Sequence, residues 1–193
     1  MNTFRQAAVA VGIVGILGAT AAGVAFAGNS DRHDHPSVAK LDQPPRLDGR
    51  ERAHLRNHTR HLRDVQAAID AGYIPTDVCV ADPALGGMGY HYVHPGYIAD
   101  DIIDTTKPEV LVYHDGPNGE LRLGAVEWLR FDADQDLATT DDRPFLFERY
   151  PFDGPMEGHE PGMPRHYDLH VWLYHHNPAG ELTGFNPRVT CPD

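Results

Sequence analysis

The sequence predicts a mainly β (α+β) protein, a compact antiparallel β-barrel or sandwich preceded by one N-terminal helix. Two observations support this fold class. A helical pattern occurs once, between Asp48 and Gly72, and the chain after residue 76 consists of short β-prone runs separated by Gly, Pro, Asn and Asp. Regularly spaced short strands that follow a single helix are typical of a small barrel or sandwich.

Residues 1–27 have the pattern of a secretory signal peptide. Arg5 supplies a positive charge, an apolar stretch of 21 residues follows it, and Ala25-Phe26-Ala27 fits a small-x-small cleavage site. We therefore expect export, cleavage before Gly28 and a secreted, extracellular protein that has no membrane attachment after cleavage. If it were not cleaved, the same stretch would be long enough to anchor the chain in a membrane.

Beyond the signal peptide, residues 28–47 are polar and contain several prolines, which predicts a flexible lead-in. Residues 48–193 are then expected to form a single β-rich domain with its N-terminal helix. Cys79 and Cys191 are the two cysteines of the chain. In an exported protein an isolated pair predicts a disulfide bond.

The charge balance and the serine content exclude several classes of function. The chain has 28 acidic and 16 basic residues, a net charge of −12. Because such a protein repels phosphate backbones and anionic lipids, nucleic acids and membrane surfaces are not expected partners. Ser30 and Ser37 are the only serines and no Gly-x-Ser-x-Gly motif occurs, which excludes serine hydrolysis. A small-molecule ligand remains an expected partner.

The helix is predicted to begin after Asp48, a favourable N-cap, and to end before Gly72. Its apolar stripe has the spacing of a buried helix face and consists of Leu55, Leu62, Val65 and Ile69. His58 falls inside this stripe, and His54 and His61 lie at its edge. These histidines have two interpretations, a packing face or a set of metal ligands. The arginines around them favour packing.

Five segments are predicted as strands: Gly89–Val93, Val110–His114, Leu121–Phe131, Phe145–Tyr150 and His166–His175. The second and third are joined by a turn in which Asn118-Gly119 is a natural type I′ pair. A two-residue loop there places Val110 opposite Glu127, Val112 opposite Ala125 and His114 opposite Leu123.

Glu127 is the strongest indication of a site. Strict alternation places it in an apolar row with Leu121, Leu123, Ala125, Leu129 and Phe131. A carboxylate in a buried row is costly unless it is paired, protonated or bound to a cation. The alternative is an ordinary Glu–Arg pair or an exposed position at the edge of the sheet.

Histidines on two other strands complete the predicted site. Asp168 and His170 are two residues apart, about 6.6 Å along one face of a strand, and His166 shares that face. His91 lies on the first predicted strand. We therefore predict that His91, Glu127 and His170 bind one divalent transition metal, with His166 as a fourth candidate ligand. Nitrogen and oxygen ligands without thiolate suit Zn, Cu, Fe or Mn. If one coordination position stays open, the protein would be a metal-dependent enzyme of unknown substrate.

Several motifs resemble a family of secreted bacterial proteins of unknown function. They cover about residues 68–191 and consist of Gly87–Val93 (GMGYHYV), Val126-Glu127-Trp128, His166–Trp172 (HYDLHVW), Asn177–Gly180 (NPAG) and Phe185–Pro192 (FNPRVTCP). The resemblance implies export and a single domain, and it implies neither an activity nor a cofactor. A looser resemblance is to cupin barrels, which bind one metal through histidines and a glutamate. The cupin His-x-His spacing is absent, because two residues separate His91 from His94.

Two other functions are compatible with the sequence. The first is a non-enzymatic barrel that binds a small ligand in a pocket lined by Trp128, Trp172 and tyrosines, with a structural network of histidines and Glu127. The second is a structural or envelope-associated protein without a small-molecule site, held in the membrane by an uncleaved N-terminal segment.

Overall fold

The structure, a computed structural model, describes residues 44–159 and 162–192. The predicted signal peptide, residues 1–27, and most of the predicted lead-in, residues 28–47, lie outside the described residues, so both remain predictions. None of the helices in the described part of the chain has the length and hydropathy of a membrane-spanning segment.

The described residues form a mainly β structure with a few short helices. The helices are α1 (Gly49–Thr59), a 3-10 helix (Arg60–Arg63), α2 (Val65–Asp70) and α3 (Pro95–Asp100). The strands are β1 (Ile74–Asp82), β2 (Gly86–Val93), β3 (Val110–Asp115), β4 (Leu121–Phe131), β5 (Phe145–Leu146), β6 (Tyr150–Pro151), β7 (Asp153–Met156) and β8 (His166–Val171).

Six of these strands form one antiparallel, curled sheet in the order β1-β2-β3-β4-β8-β7, and β5 and β6 form a separate pair. Within the described residues the sheet has two edges, β1 and β7, and is not closed into the predicted barrel or packed into a sandwich. The edge strand β1 is irregular. It has register shifts between Pro75 and Cys79 and between Val80 and Ala81, and irregular edges of this kind limit further strand pairing.

The predicted single N-terminal helix is not confirmed, because the segment between Asp48 and Gly72 forms α1, the 3-10 helix and α2. The Asp48 side chain accepts hydrogen bonds from the backbone N–H groups of Arg50 and Glu51, both at 2.8 Å, as an N-cap should. At the other end Gly72 has a φ of +101°, the left-handed conformation that favours glycine after a helix. The 3-10 helix between α1 and α2 changes the direction in which the side chains of α2 point relative to those of α1. Ile69, expected in the buried stripe, is therefore 41% exposed.

The hairpin between β3 and β4 has the predicted register over only half its length. Val110 pairs with Glu127 and Val112 with Ala125, as predicted, but His114 pairs with Arg122 instead of Leu123. The reason is a β-bulge, in which Gly124 is an extra residue on β4. As a result, the predicted single apolar row is broken: Leu123 turns to the opposite face of the sheet from Ala125 and packs in the other core cluster.

The turn of this hairpin is also not the predicted type I′. The backbone N–H of Gly119 donates to the carbonyl oxygen of Gly116 at 3.0 Å, so Pro117 and Asn118 are the central residues. Type I′ requires positive φ at both central positions, and here only Gly119 is left-handed. Pro117 explains the difference, because its ring fixes a negative φ at the first central position.

The remaining differences concern short or irregular segments. The strands β1 and β7 and the helix α3 were not predicted. In place of the predicted strand Phe145–Tyr150 there are two short antiparallel strands, β5 and β6, joined by a turn. The predicted last strand, His166–His175, ends at Val171. The chain turns there, with the N–H of Leu173 donating to the carbonyl oxygen of Val171 at 2.9 Å.

The two faces of the sheet have different contents. On β8 the side chains of Tyr167, Leu169 and Val171 join the main core, which also contains Leu55 and Leu62 from the helical segment. The alternate residues of β8, which are His166, Asp168 and His170, are buried on the other face. That face therefore buries polar groups beside apolar ones, and its apolar residues include a small cluster made of Val112, Ala125, Trp172 and Val189.

The predicted disulfide is present. Cys79 on β1 is bonded to Cys191 near the C-terminus, with 5.6 Å between their Cα atoms and 112 residues of sequence separation. The bond ties the C-terminal segment to the edge strand of the sheet. A second link to this region is the hydrogen-bonded bridge between Gly87 and Asn186.

We predict that replacing both Cys79 and Cys191 by Ala lowers the free energy of unfolding by about 4 kcal/mol, because a closed loop of this length restricts the unfolded chain. Urea unfolding of the oxidised protein and of the double variant measures the difference. Equal midpoints in the two proteins would contradict the prediction. Wild type unfolded in the presence of a thiol reductant is the control and should match the variant.

Glu109 gives a second, pH-dependent prediction. Its side chain is buried, which raises its pKa to about 8, although it accepts a 3.2 Å hydrogen bond from the N–H of Leu129. A raised folded-state pKa contributes stability that is complete below the unfolded value near 4.5 and is lost as the pH rises through about 8. Wild type should therefore lose up to about 1.4 kcal/mol per pH unit relative to Glu109→Gln between these values. Parallel pH profiles of unfolding free energy would contradict this.

Candidate metal centre

The sheet brings together three side chains that are far apart in the sequence. Glu127 on β4 is directly opposite His170 on β8, so their side chains leave the same face as cross-strand neighbours. On the other side of Glu127, its partner on β3 is Val110, which in turn pairs with Val93 on β2. His91 lies two residues from Val93 and therefore shares its face. The curl of the sheet brings the His91 ring over to the Glu127 carboxylate.

The separations of the ligand atoms suit a metal ion better than a direct ion pair. Glu127 Oε2 is 3.4 Å from His170 Nε2 and 3.6 Å from His91 Nε2. The three ligand atoms all lie within 4.8 Å of one another. Charge-assisted hydrogen bonds would be about 2.7–2.9 Å long. Ligands on one ion with bonds of about 2.0–2.1 Å and tetrahedral angles are about 3.3–3.4 Å apart, close to the spacing found here.

Two of these three ligand atoms, on Glu127 and His170, are buried without a hydrogen-bond partner among the described residues. Glu127 Oε2 and both ring nitrogens of His170 are inaccessible to solvent and accept or donate no hydrogen bond among the described residues. Glu127 is 3% exposed and His170 is 1% exposed. Buried polar atoms are rarely left unpaired, because each costs about 1–3 kcal/mol. A cation bound between them would remove that cost.

Electrostatics at this site favour a positive charge beside the carboxylates, either a proton on His170 or a bound cation. Burial raises the pKa of Glu127 well above its ordinary value, although His170 opposes the shift. Burial, together with His170, lowers the pKa of His91 to about 3, so its ring is neutral at physiological pH and its lone pair is available. Burial also acts against the charged form of His170, but the carboxylates of Glu127 and Asp168 outweigh it and raise the pKa of His170.

His166, predicted as a fourth ligand of this centre, belongs instead to a second group. It lies four residues from His170 on the same strand, about 13 Å along the chain, which is too far to share one ion. His166 Nε2 is 3.7 Å from Asp168 Oδ2, and His159 from the preceding loop completes this group, again with ligand atoms within 4.8 Å of one another. Asp168 lies between the two groups, because its other oxygen, Oδ1, is 3.7 Å from His170 Nδ1.

A cavity of about 220 Å³ adjoins the first group. His91 and Glu127 line it, together with apolar side chains of β1, β2, β3, β4, α3 and the loop before β8, which are Val80, Val93, Ile98, Val110, Leu129, Phe131 and Met163. Three larger cavities, of about 300, 440 and 1050 Å³, contain none of the six residues of the two groups. Access to the first group is therefore through a mostly apolar space.

The other interpretations of these residues do not match the structure. The ion-pair partners of Glu127 among the described residues are imidazoles rather than an arginine, and Glu127 is buried rather than at an edge. On the helical segment His58 and His61 are exposed, so His58 is neither a packing residue nor part of a described metal-binding group. The His54 ring forms a 2.9 Å hydrogen bond with the Thr105 hydroxyl.

Sequence reasoning missed the role of two residues. Asp168 was paired only with His170, and His159 was not assigned to the site. The available signal was the alternation of His166, Asp168 and His170 on one strand face, which presents three polar groups where a strand with a buried face would present apolar ones. His159 could not be assigned, because its loop conformation depends on tertiary contacts.

In comparisons with protein-family models, curated proteins and solved structures, nothing matches this chain. The resemblance to a family of secreted bacterial proteins of unknown function therefore stays a prediction.

Proposed function

We propose that this is a secreted protein that binds one divalent transition metal ion through His91, Glu127 and His170 and uses it as a metal-dependent enzyme. One observation carries the proposal: three ligand atoms from three strands meet within 4.8 Å in the sheet. Two of these side chains are almost completely buried, and their facing atoms have no hydrogen-bond partner in the described structure. Secretion is supported by the disulfide and by the signal-like N-terminal sequence.

The donor set narrows the choice of metal. Two imidazoles and one carboxylate are the ligands of catalytic zinc in several hydrolases and of iron in the non-haem oxygenases. Thiolates, which would indicate a structural zinc site, are absent from the group, and both cysteines are engaged in the disulfide. A bound ion of this kind supplies Lewis acidity and can activate water.

Three protein ligands leave a coordination position for a substrate or water, and the cavity supplies the space beside it. His91 and Glu127 line the cavity but His170 does not, so a bound ion would lie at its inner wall. Its volume of about 220 Å³ is below the range of about 300–1,000 Å³ typical of pockets for drug-sized ligands. The surrounding Val, Ile, Leu, Phe and Met side chains favour a small substrate with an apolar part.

The same cavity favours a second candidate function, a non-enzymatic module that binds a small ligand. In that case His91, Glu127 and His170 would be polar anchors for the ligand rather than metal ligands. The two candidates differ in one observable. A small molecule found bound to the purified protein by native mass spectrometry, together with thermal stability that does not depend on metal, would favour the binding module.

Metal content tests the proposal directly. After saturation with Zn²⁺ and dialysis, the variants His91→Ala, Glu127→Gln and His170→Ala should each contain one equivalent of zinc less than wild type, because each variant lacks one ligand. His61→Ala is the matched control, since His61 is exposed and far from the three strands in sequence, and it should keep the wild-type content. Identical zinc content in wild type and all three ligand variants would contradict the proposal.

The effect of Glu127→Gln on thermal stability should have opposite signs without and with metal. With a chelator present, the variant should be more stable than wild type, because a neutral amide avoids the cost of a buried carboxylate. With Zn²⁺ at about one hundred times its dissociation constant, wild type should gain about 2.7 kcal/mol from this site, and the variant should gain none from it. Thermal unfolding measures both. Failure of the stability order to reverse when metal is added would contradict the role of Glu127 as a ligand.

A further inference from the structure

We propose that the protein binds a second divalent transition metal ion through His159, His166 and Asp168, next to the first. The ligand atoms of these three residues lie within 4.8 Å of one another. His166 is completely buried and Asp168 is 3% exposed. The second site depends only on its own three residues, whereas a centre with two metal ions also requires the first site of the proposed function.

The orientation of the His166 ring supports ligation. Its Nδ1 atom is 3.4 Å from the carbonyl oxygen of Pro164, which can only accept a hydrogen bond. The proton of a neutral ring is therefore favoured on Nδ1, which leaves the lone pair on Nε2. A backbone carbonyl that orients a histidine in this way is the common partner of metal-binding imidazoles.

The atom that faces this lone pair is also an acceptor. His166 Nε2 is 3.7 Å from Asp168 Oδ2, and both atoms are buried without a hydrogen-bond partner among the described residues. Two acceptors that face each other away from water are unfavourable unless a cation or a proton lies between them. A proton held on Nε2 would shorten the contact to about 2.7–2.9 Å. The observed gap is instead the kind of spacing that a metal ion spans.

Asp168 connects the two sites. Its Oδ2 atom belongs to the second group, and its Oδ1 atom is 3.7 Å from Nδ1 of His170, whose Nε2 faces Glu127. At 3.7 Å this contact is longer than a hydrogen bond, and a small approach of the two groups would be needed to form one. A carboxylate that accepts from the far nitrogen of a metal-binding histidine fixes its orientation and increases its basicity. Asp168 is therefore expected to be a ligand at the second site and a positioning residue at the first.

His159 gives the second site access to the same cavity. Its side chain is exposed and lines the cavity of about 220 Å³ together with His91 and Glu127. A small molecule in this cavity would therefore meet both groups at once. Two ions at the wall of one cavity would both attract an oxygen-containing group of a substrate, as paired metal ions do in enzymes. The class of ligand expected here is thus a small molecule with an apolar part and an anionic oxygen group.

Titration with Co²⁺ and Zn²⁺ tests the second site. Wild type should bind two equivalents, and His159→Ala and His166→Ala should each bind one. His159→Ala is the safer variant, because an exposed side chain leaves no cavity in the core. His91→Ala should also bind one, and the double variant His91→Ala/His159→Ala none. His61→Ala is the control and should keep two. Circular dichroism of each variant confirms that it is folded.

The outcomes separate this inference from the proposed function. One equivalent in wild type, retained by His159→Ala and His166→Ala but lost in His91→Ala, would overturn the second site and leave the first. One equivalent retained by His91→Ala but lost in His159→Ala would support the second site and overturn the first. No bound metal in wild type would overturn both.

Asp168→Asn tests the connection between the sites. The substitution keeps the shape of the side chain, and we expect it to remove the second equivalent and to weaken the first by about 10–100-fold, the effect typical of the partner of a metal-binding histidine. His166→Ala should remove the second equivalent with a smaller effect on the first. Equal affinities of the first site in these two variants would overturn the positioning role of Asp168.

Discussion

The arrangement of the site depends on one electrostatic constraint, the burial of the Glu127 carboxylate in the centre of a sheet. Taking such a group out of water costs several kcal/mol unless a positive charge or hydrogen bonds compensate for it. The structure provides no hydrogen bond to Glu127 Oε2 from the described residues and brings two imidazole nitrogens to 3.4 and 3.6 Å from it. Two imidazoles at this distance stabilise the carboxylate only partly. A divalent cation held by all three would satisfy the carboxylate and the imidazoles together.

The fold makes this arrangement possible because the two faces of strand β8 have different roles, one in the core and one at the site. On β8 the alternate residues Tyr167, Leu169 and Val171 anchor the sheet to the helical core, while His166, Asp168 and His170 face the other side. The sheet order places β8 beside β4, so the polar face of one strand meets Glu127 on the next. Because the anchoring residues fix the strand, the His170 ring is held in place although neither of its nitrogens has a hydrogen-bond partner among the described residues.

The sequence predicted the parts of this structure that depend on local patterns. The N-cap Asp48, the terminating Gly72, strand β4 and the disulfide were all predicted, because each follows from residue type and spacing. The sequence did not show the bulge at Gly124, the irregular edge strand β1 or the open sheet, because these depend on tertiary packing. His91, Glu127 and His170 were grouped from strand alternation alone. His166 could join that group only if its strand bends, and the structure instead places its ring with His159 and Asp168. The loop that carries His159 has no periodic pattern.

The most direct test of the central claim is an anomalous difference map from crystals of the protein grown with Zn²⁺, with data collected on both sides of the zinc absorption edge. The account predicts a peak about 2.0–2.2 Å from His91 Nε2, Glu127 Oε2 and His170 Nε2. A map without a peak at these atoms, in which Glu127 instead forms a direct hydrogen bond of ordinary length with His170, would contradict it.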